Sequence, residues 1–433
     1  MSVYPGLDTY PGTDPGRRVH EQVRVHLMMP GDTEVGPDIS ADLLSANITR
    51  GGDPTPVLTP DVGTLTLTMA GDYSRTMTPA QRVVVMNHTG RRLFTGKVTD
   101  AEADEDRLPG RKARTVTTVR AVDAVAELTN TKRYSVQINR HESTISRLFR
   151  LMKSAPHLPP AQLVYAHSDG RDIYHRPYIH ESDLARHISM VADGSLNGWF
   201  VDVDGRVTLG GATVESGAPA PGVYNTTDLV LVDGSTPPVS LAGRPTLSPV
   251  RIRRGVTPSD VPTMVTINRY GRVINLAENP FPPYTQYLQV IGTTGPLVNQ
   301  ALALTWGRTG LEVDCAATTR TNPSDPADEQ AGELLAEHYA GLRHPHHRPR
   351  QVRINAGLHG WPDLDLLSVL DVLVEGVMHR LYVSGITHTI TATSWVVDVD
   401  LGDTGADTVP PMPYRPVPNL VPANPPSDED EPN

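Results

Sequence analysis

Cysteine is almost missing. Cys315 is the single thiol in 433 residues, which rules out an internal disulfide and a cysteine-based zinc site. Long apolar runs are missing too: nothing approaches the roughly 20 apolar residues that a membrane-spanning helix needs. The N-terminal MSVYPGLDTYPGTDPG has neither a basic start nor an apolar stretch, so no secretory signal is expected. Lysine is scarce. Lys97, Lys112, Lys132 and Lys153 are the whole set, and the other basic residues are arginine, a bias of GC-rich coding rather than of chemistry. Basic residues of both kinds are outnumbered, 38 against 49 acidic, for a net charge of −11. A chain this acidic is not built to hold nucleic acid by phosphate neutralisation, although DNA passing nearby without being held stays open.

What is abundant bends the chain. There are 36 glycines and 40 prolines, more than long helical bundles tolerate. The length suggests two to four domains, at roughly 100–200 residues each. Residues 1–18 lack periodicity and read as an extended arm. From 19 to 136 the pattern is antiparallel β. Val23, Val25 and Leu27 alternate with polar residues, TLTLTM at Thr64–Met69 alternates cleanly, and RTVTTVRAV at Arg114–Val122 is a further strand. Gln81–Met86 leads through turn residues Asn87–Gly90 into Leu93–Thr99, a hairpin signature.

The texture changes over 137–213, a small α/β unit. Ile145, Leu148, Phe149 and Met152 form one helical stripe, and Leu184, Ile188 and Val191 form another behind a Ser182 or Asp183 cap. GWFVDVDGRVTL, Gly198–Leu209, reads as two strands about an Asp204-Gly205 type I′ turn. Residues 214–403 are mostly β again. The expected pattern is loops to about 250, then strands at Val250–Arg253, Thr263–Ile267 and Gln286–Ile291. A helix-containing segment interrupts at about 292–349, with its helix at Asp325–Leu342 behind a Ser324 or Asp325 cap. Strands run from Gln351 to Leu401. The stretch 404–433 is Pro-rich, ends acidic, and reads as a tail.

One stretch echoes another. VVVMNHTGRRLFTGKVTD at 83–100 aligns without a gap on DVLVEGVMHRLYVSGITH at 371–388, matching Arg92 with Arg380, Leu93 with Leu381 and Phe94 with Tyr382. A further strand follows each copy, VTTVRAVD at Val116–Asp123 and WVVDVDL at Trp395–Leu401. The fold class expected is mainly β with an α+β insertion: two related antiparallel β-barrels, the second discontinuous, plus the small α/β domain. Three such chains in a ring would alternate six similar barrels, a quasi-sixfold collar.

Four stretches resemble the tail hub proteins of long-tailed bacteriophages, kin of the contractile-phage baseplate hub and of the N-terminal part of type VI secretion spike proteins. They are LFTGKVTD (Leu93–Asp100) with RAVDAVAEL (Arg120–Leu128), Glu181–Leu209, ADEQAGELLAEHY (Ala327–Tyr339) and YVSGITHTITATSWVVDV (Tyr382–Val399). Their order and spacing carry the likeness more than any one motif. The resemblance implies a structural virion protein at the tail tip, without catalytic residues: a homotrimer about an axial channel. Distal tail or tail-tube proteins would lie above, tip, fibre or spike proteins below. DNA or a tape measure protein would pass through unheld, with no membrane insertion by this chain. Many relatives continue into a fibre, stalk or lytic domain, so adhesion or wall digestion is expected from other chains or from none. The alternatives are the hub of a contractile injection system and a cell-wall-degrading tail enzyme.

No catalytic, cofactor or metal residue is expected. His344, His346 and His347, near His338, are dense enough for a divalent metal, but adjacent arginines oppose a cation and Pro345 and Pro349 break helical spacing. Asp202-Val-Asp204-Gly205 starts like a calcium loop, yet Arg206 and Thr213 stand where ligands belong. His141-Glu142 opens like a zincin motif, but Ile145 replaces the second histidine. Asp363 and Asp365 could serve a glycosidase and read better as turn residues. Cys315 reads as a packed thiol. Acid clusters such as Ala101–Asp106 suffice for a neutral-to-acidic channel lining.

Overall fold

The structure is a computed structural model. It describes residues 23–403 apart from 29–34, 54–57, 80, 107–113, 134–141, 154–160, 164–173, 176–181, 195–197, 211–225, 235–243, 256–262, 276–284, 301–302, 305–306, 316, 319–335, 337–347 and 363. The two expected terminal arms and the histidine cluster lie outside the described residues. So does the helix at Asp325–Leu342, except Ala336, which is helical and buried.

The main sheet has 14 strands. They are β1 Val23–Met28, β2 Leu43–Asp53, β3 Thr59–Pro60, β4 Thr64–Ala70, β5 Arg82–Asn87, β6 Arg92–Asp106, β7 Arg114–Val122, β8 Thr226–Val232, β9 Thr246–Leu247, β10 Arg251–Gly255, β11 Arg348–Asn355, β12 Val369–Val374, β13 Val377–Thr391 and β14 Trp395–Asp403. Alternation makes these strands. In β4 the threonines lie outward or half-buried while Leu65, Leu67 and Met69 are buried, the period of two that one packed face demands. The path runs β1-β5-β6-β7-β4-β2-β13-β12-β8-β9, and β14, β11 and β10 continue from β13. All pairings are antiparallel except β8 with β9 and with β12. The class is mainly β with a helical insertion, as the sequence indicates, and β2 against β13 joins the two expected halves into one sheet. Residues 214–250, expected to be loops, contain the strand β8, whose Val230, Leu231 and Val232 are buried. Its LVLV run is a strand signal that the surrounding glycines and prolines obscure.

Both copies of the echo are meanders of two hairpins, β5-β6-β7 and β12-β13-β14. Phe94 and Tyr382 are both buried. Phe94 pairs with Val85 and Tyr382 with Val369. The gapless alignment instead matches Val85 with Leu373, four residues beyond Val369. The slip is taken up in the turns. Glu375 and Gly376, with φ of 51° and 80°, make the tight turn of the second copy, the left-handed pair of a type I′ turn.

The first copy uses a longer loop. Asn87 N–H donates to Arg91 O (2.8 Å), Gly90 N–H donates to Asn87 O (3.0 Å), and Asn87 Oδ1 accepts from Thr89 N and Arg91 N. The Asp202–Arg206 turn repeats this design: Asp202 N to Arg206 O and Gly205 N to Asp202 O, both 2.9 Å, with Asp202 Oδ1 accepting from Asp204 N and Arg206 N. This corrects the type I′ expectation for Asp204-Gly205. Gly205 has φ of 80° but Asp204 is not among the positive-φ residues, and a type I′ turn needs both. The aspartate that anchors the turn sets its type.

A second core forms from α1 Ala124–Asn130, α2 Thr144–Lys153, α3 Leu184–Gly194 and the hairpin of strands Gly198–Val201 and Val207–Gly210. Asp123 caps α1 by accepting from Val125 N (3.0 Å), and Asp183 accepts from Arg186 N (2.7 Å) at the start of α3. Leu184, Ile188 and Val191 are buried as expected. In α2 the stripe turns differently. Leu148, Leu151 and Met152 face the core, Arg147 is buried with them, and Phe149 is 48% exposed. Positions 144, 147, 148, 151 and 152 fit one helical face, and 149 falls outside it. Strand Gly198–Val201 is buried on both faces. Trp199 and Val201 pack into the second core, and Phe200 packs into the main one.

Candidate functional site

The double-sided strand makes a seam between the two cores, and the seam is polar where it is deepest. Arg50 lies on β2, 4% exposed, and its Nη1 is 2.6 Å from Asp365 Oδ1. Its Nη2 donates to Val201 O (2.5 Å) on the hairpin strand. One guanidinium therefore ties β2, the turn before β12 and the second core together. Asp123 also faces it. Burial pushes the Asp123 carboxyl up to about 7, while the Arg50 charge and backbone N–H groups, Val125 among them, pull it back. The chain must come close here: a Cβ on Gly63 would stand 2.3 Å from Asp123 Oδ2. Asp202, 2% exposed, is raised by burial against the pull of Arg206, and Asp365 raises it further.

His388 of β13 completes the seam. It is buried between Trp361, at 4.9 Å edge-on, and Trp395, whose Nε1–H donates to His388 Nδ1 at 3.2 Å. Burial and then the Arg50 charge push its pKa down to about 3, so the ring stays neutral and can accept. Nearer the surface, Thr95 donates to Val203 O (2.7 Å), Arg92 lies 3.4 Å from Asp204, and Lys97 lies 3.1 Å from Glu127. These contacts fix orientation. A buried arginine held by a carboxylate and a carbonyl is a rigid strut and offers no nucleophile.

Asp365 is in a turn, as expected: its N–H donates to Ser368 Oγ (3.0 Å) and Ser368 N donates to its carbonyl (3.1 Å). It is buried and ion-paired, however, and Asp363 lies outside the described residues. Glu142 lies in a two-residue strand before α2, where no helical metal motif can start. Cys315 is fully buried, as a packed residue would be. Among the described residues no three metal-ligating side chains converge, and no helix is long and apolar enough to cross a membrane. Sequence reasoning missed Arg50, Asp123 and His388. Asp123 alone left a signal, an aspartate just before the apolar AVAEL of α1.

No family model matches the chain, and no curated protein matches it. Solved structures do. A tail protein from Neisseria meningitidis MC58 superposes with a TM-score of 0.53 at 9% identity, covering 89% of this chain and 98% of that one. The 43 kDa tail protein of prophage MuSo2 from Shewanella oneidensis gives 0.51 at 12% identity, covering 89% and 100%. The fold is thus that of phage tail proteins, along nearly their whole length.

Proposed function

We propose that this chain is a structural virion protein of a phage tail: a trimeric hub joining the tail tube or distal tail ring to the tip, around the channel through which the genome leaves. The observation that carries this is the end-to-end sharing of one fold with two phage tail proteins. The paired meanders support the ring, since two like halves per chain give a threefold ring six similar faces. The function is mechanical. Interfaces match the symmetry of the tube to the tip, the seam around Arg50 keeps the second core in fixed orientation, and the lumen is neutral to acidic so that phosphates slide past.

The test is a reconstruction of the intact tail tip together with the mass of the purified chain. A threefold ring of this chain, lined without a belt of unpaired arginines, is the expected result. A monomer in the particle, a ring of six identical chains, or digestion of purified cell wall by the chain alone would overturn the reading.

A further inference from the structure

The strand orders β6-β7-β4-β2 and β13-β14-β11-β10 are the same antiparallel run twice. In the first run the last strand, β2, goes on to cover β13, pairing Ser45–Gly51 with Gly385–Thr391. In the second run the last strand, β10, pairs with β11 and with nothing beyond it among the described residues. Most of the stretch of β6 matching Gly385–Thr391 is also open among the described residues: Lys97 still pairs with Arg82 and Val98 N–H donates to Gln81 O (2.8 Å), and beyond Val98 the partner strand is β7 alone. Among the described residues each half thus has one unfilled edge, and each lacks what the other offers.

We propose that the open β10 edge of one copy of this chain adds antiparallel to the open β6 edge of the next copy, repeating between chains the β2–β13 contact made within one. This rests on the ring reading above and supplies its interface. Such a contact is heterologous, head to tail, and closes into a ring when the rotation fits.

The charges agree with the backbone. On β6 the alternate residues Asp100, Glu102 and Asp104 face away from the core, while Ala101 between Asp100 and Glu102 packs toward it. Arg120 takes up Asp100 (2.8 Å) and Glu102 (3.4 Å), and Asp104 is exposed with no ion pair among the described residues. On β10, Arg251 and Arg253 are exposed on the side opposite Ile252 and likewise have no ion pair among the described residues. Val250, 65% exposed, precedes them. Charged edges ordinarily block stray pairing. Here they block only like with like, acid on acid and arginine on arginine, and leave acid on arginine as the favourable union.

The test uses the full chain and its mass by sedimentation, with melting temperature as a check of folding. The acid-edge variant carries Glu102→Lys and Asp104→Lys, the basic-edge variant Arg251→Glu and Arg253→Glu. All four sites are surface charges, so each variant should melt close to the wild type. Each should weaken association by roughly tenfold or more, and the chain carrying all four changes should associate again. Both single-edge variants associating like the wild type would overturn the edge pairing and leave the ring standing. Loss without recovery in the fourfold variant would overturn it as well. A wild-type chain monomeric at all concentrations would overturn ring and edge pairing together.

Discussion

In the first meander Phe94 packs beneath a hairpin closed by the Asn87–Arg91 loop, and the far half of β6 is acidic and has β7 as its sole partner strand among the described residues. In the second, Tyr382 packs beneath a hairpin closed by Glu375–Gly376, and the far half of β13 is covered by β2. The likeness resides in strand order and in a buried aromatic. The differences sit in turns and edges. Core positions are held in common because both halves fill one continuous core. A turn can change length, and an edge its partner, without disturbing that core, so these are the places where two copies of one design take different tasks.

The hardest blow to the comparison falls at the strand that joins the halves. Arg50→Ala strands Asp365 in the seam with no cation, and the loss should be about 3–5 kcal/mol. Denaturant unfolding measures it, and a loss under about 1 kcal/mol would mean the seam is wet. Phe94→Ala and Tyr382→Ala should each cost about 3–5 kcal/mol by large-to-small truncation. Equal costs sharpen the equivalence, and a cheap truncation at one site alone breaks it.

Acidity separates the halves next, with effects on the order of a few kcal/mol. The folded pKa of His388, about 3, lies below the ordinary 6.5. The unfolded chain therefore binds the extra proton, and stability from this group is lost as pH falls from about 6.5 toward 3. Asp123 runs the other way. Its folded value, about 7, lies above the ordinary 3.8, so its contribution is lost as pH rises from about 4 to 7. The two windows overlap between about pH 4 and 6.5, where the opposite slopes offset each other. Asp123→Asn should remove the falling slope, so that the rise from His388 in the second meander shows through that window. A curve unchanged between about pH 4 and 7 would remove Asp123 from the account.

Smaller effects test the turns. Gly90→Ala and Gly376→Ala place a Cβ at φ of 83° and 80° with nothing within 4 Å, so the cost is backbone strain alone, about 1–2 kcal/mol each. Matching costs would show that the two turn types differ in length but not in stringency. Smallest is Phe149→Ser on α2, expected within about 0.5 kcal/mol of neutral, since that ring is half in water. A large loss would restore the stripe that the sequence suggests.

The strands, the helix–hairpin unit and the echo were legible because each depends on periodicity within a short window: TLTLTM has one foldable alternation, and Leu184, Ile188 and Val191 share one helical face. The same local rules narrowed the α3 cap to Ser182 or Asp183, and the structure gives Asp183. The slip of four residues in the echo was not legible, because turn length is set by Asn87 capturing its own loop. Nor was the facing of Phe149, which depends on where α1 and α3 stand.

The site was hidden more completely. Arg50 and Asp365 are 315 residues apart, and no local pattern marks an arginine that will lose its water. By itself, the sequence determined a mainly β chain with one α/β insertion and an internal echo, carrying a net charge of −11. Tertiary structure alone decided which carboxylate Arg50 would bind and which strands would stand side by side. Burial and pairing are properties of what arrives from the far end of the chain, and hydrophobic periodicity says which face turns inward but not what it meets there.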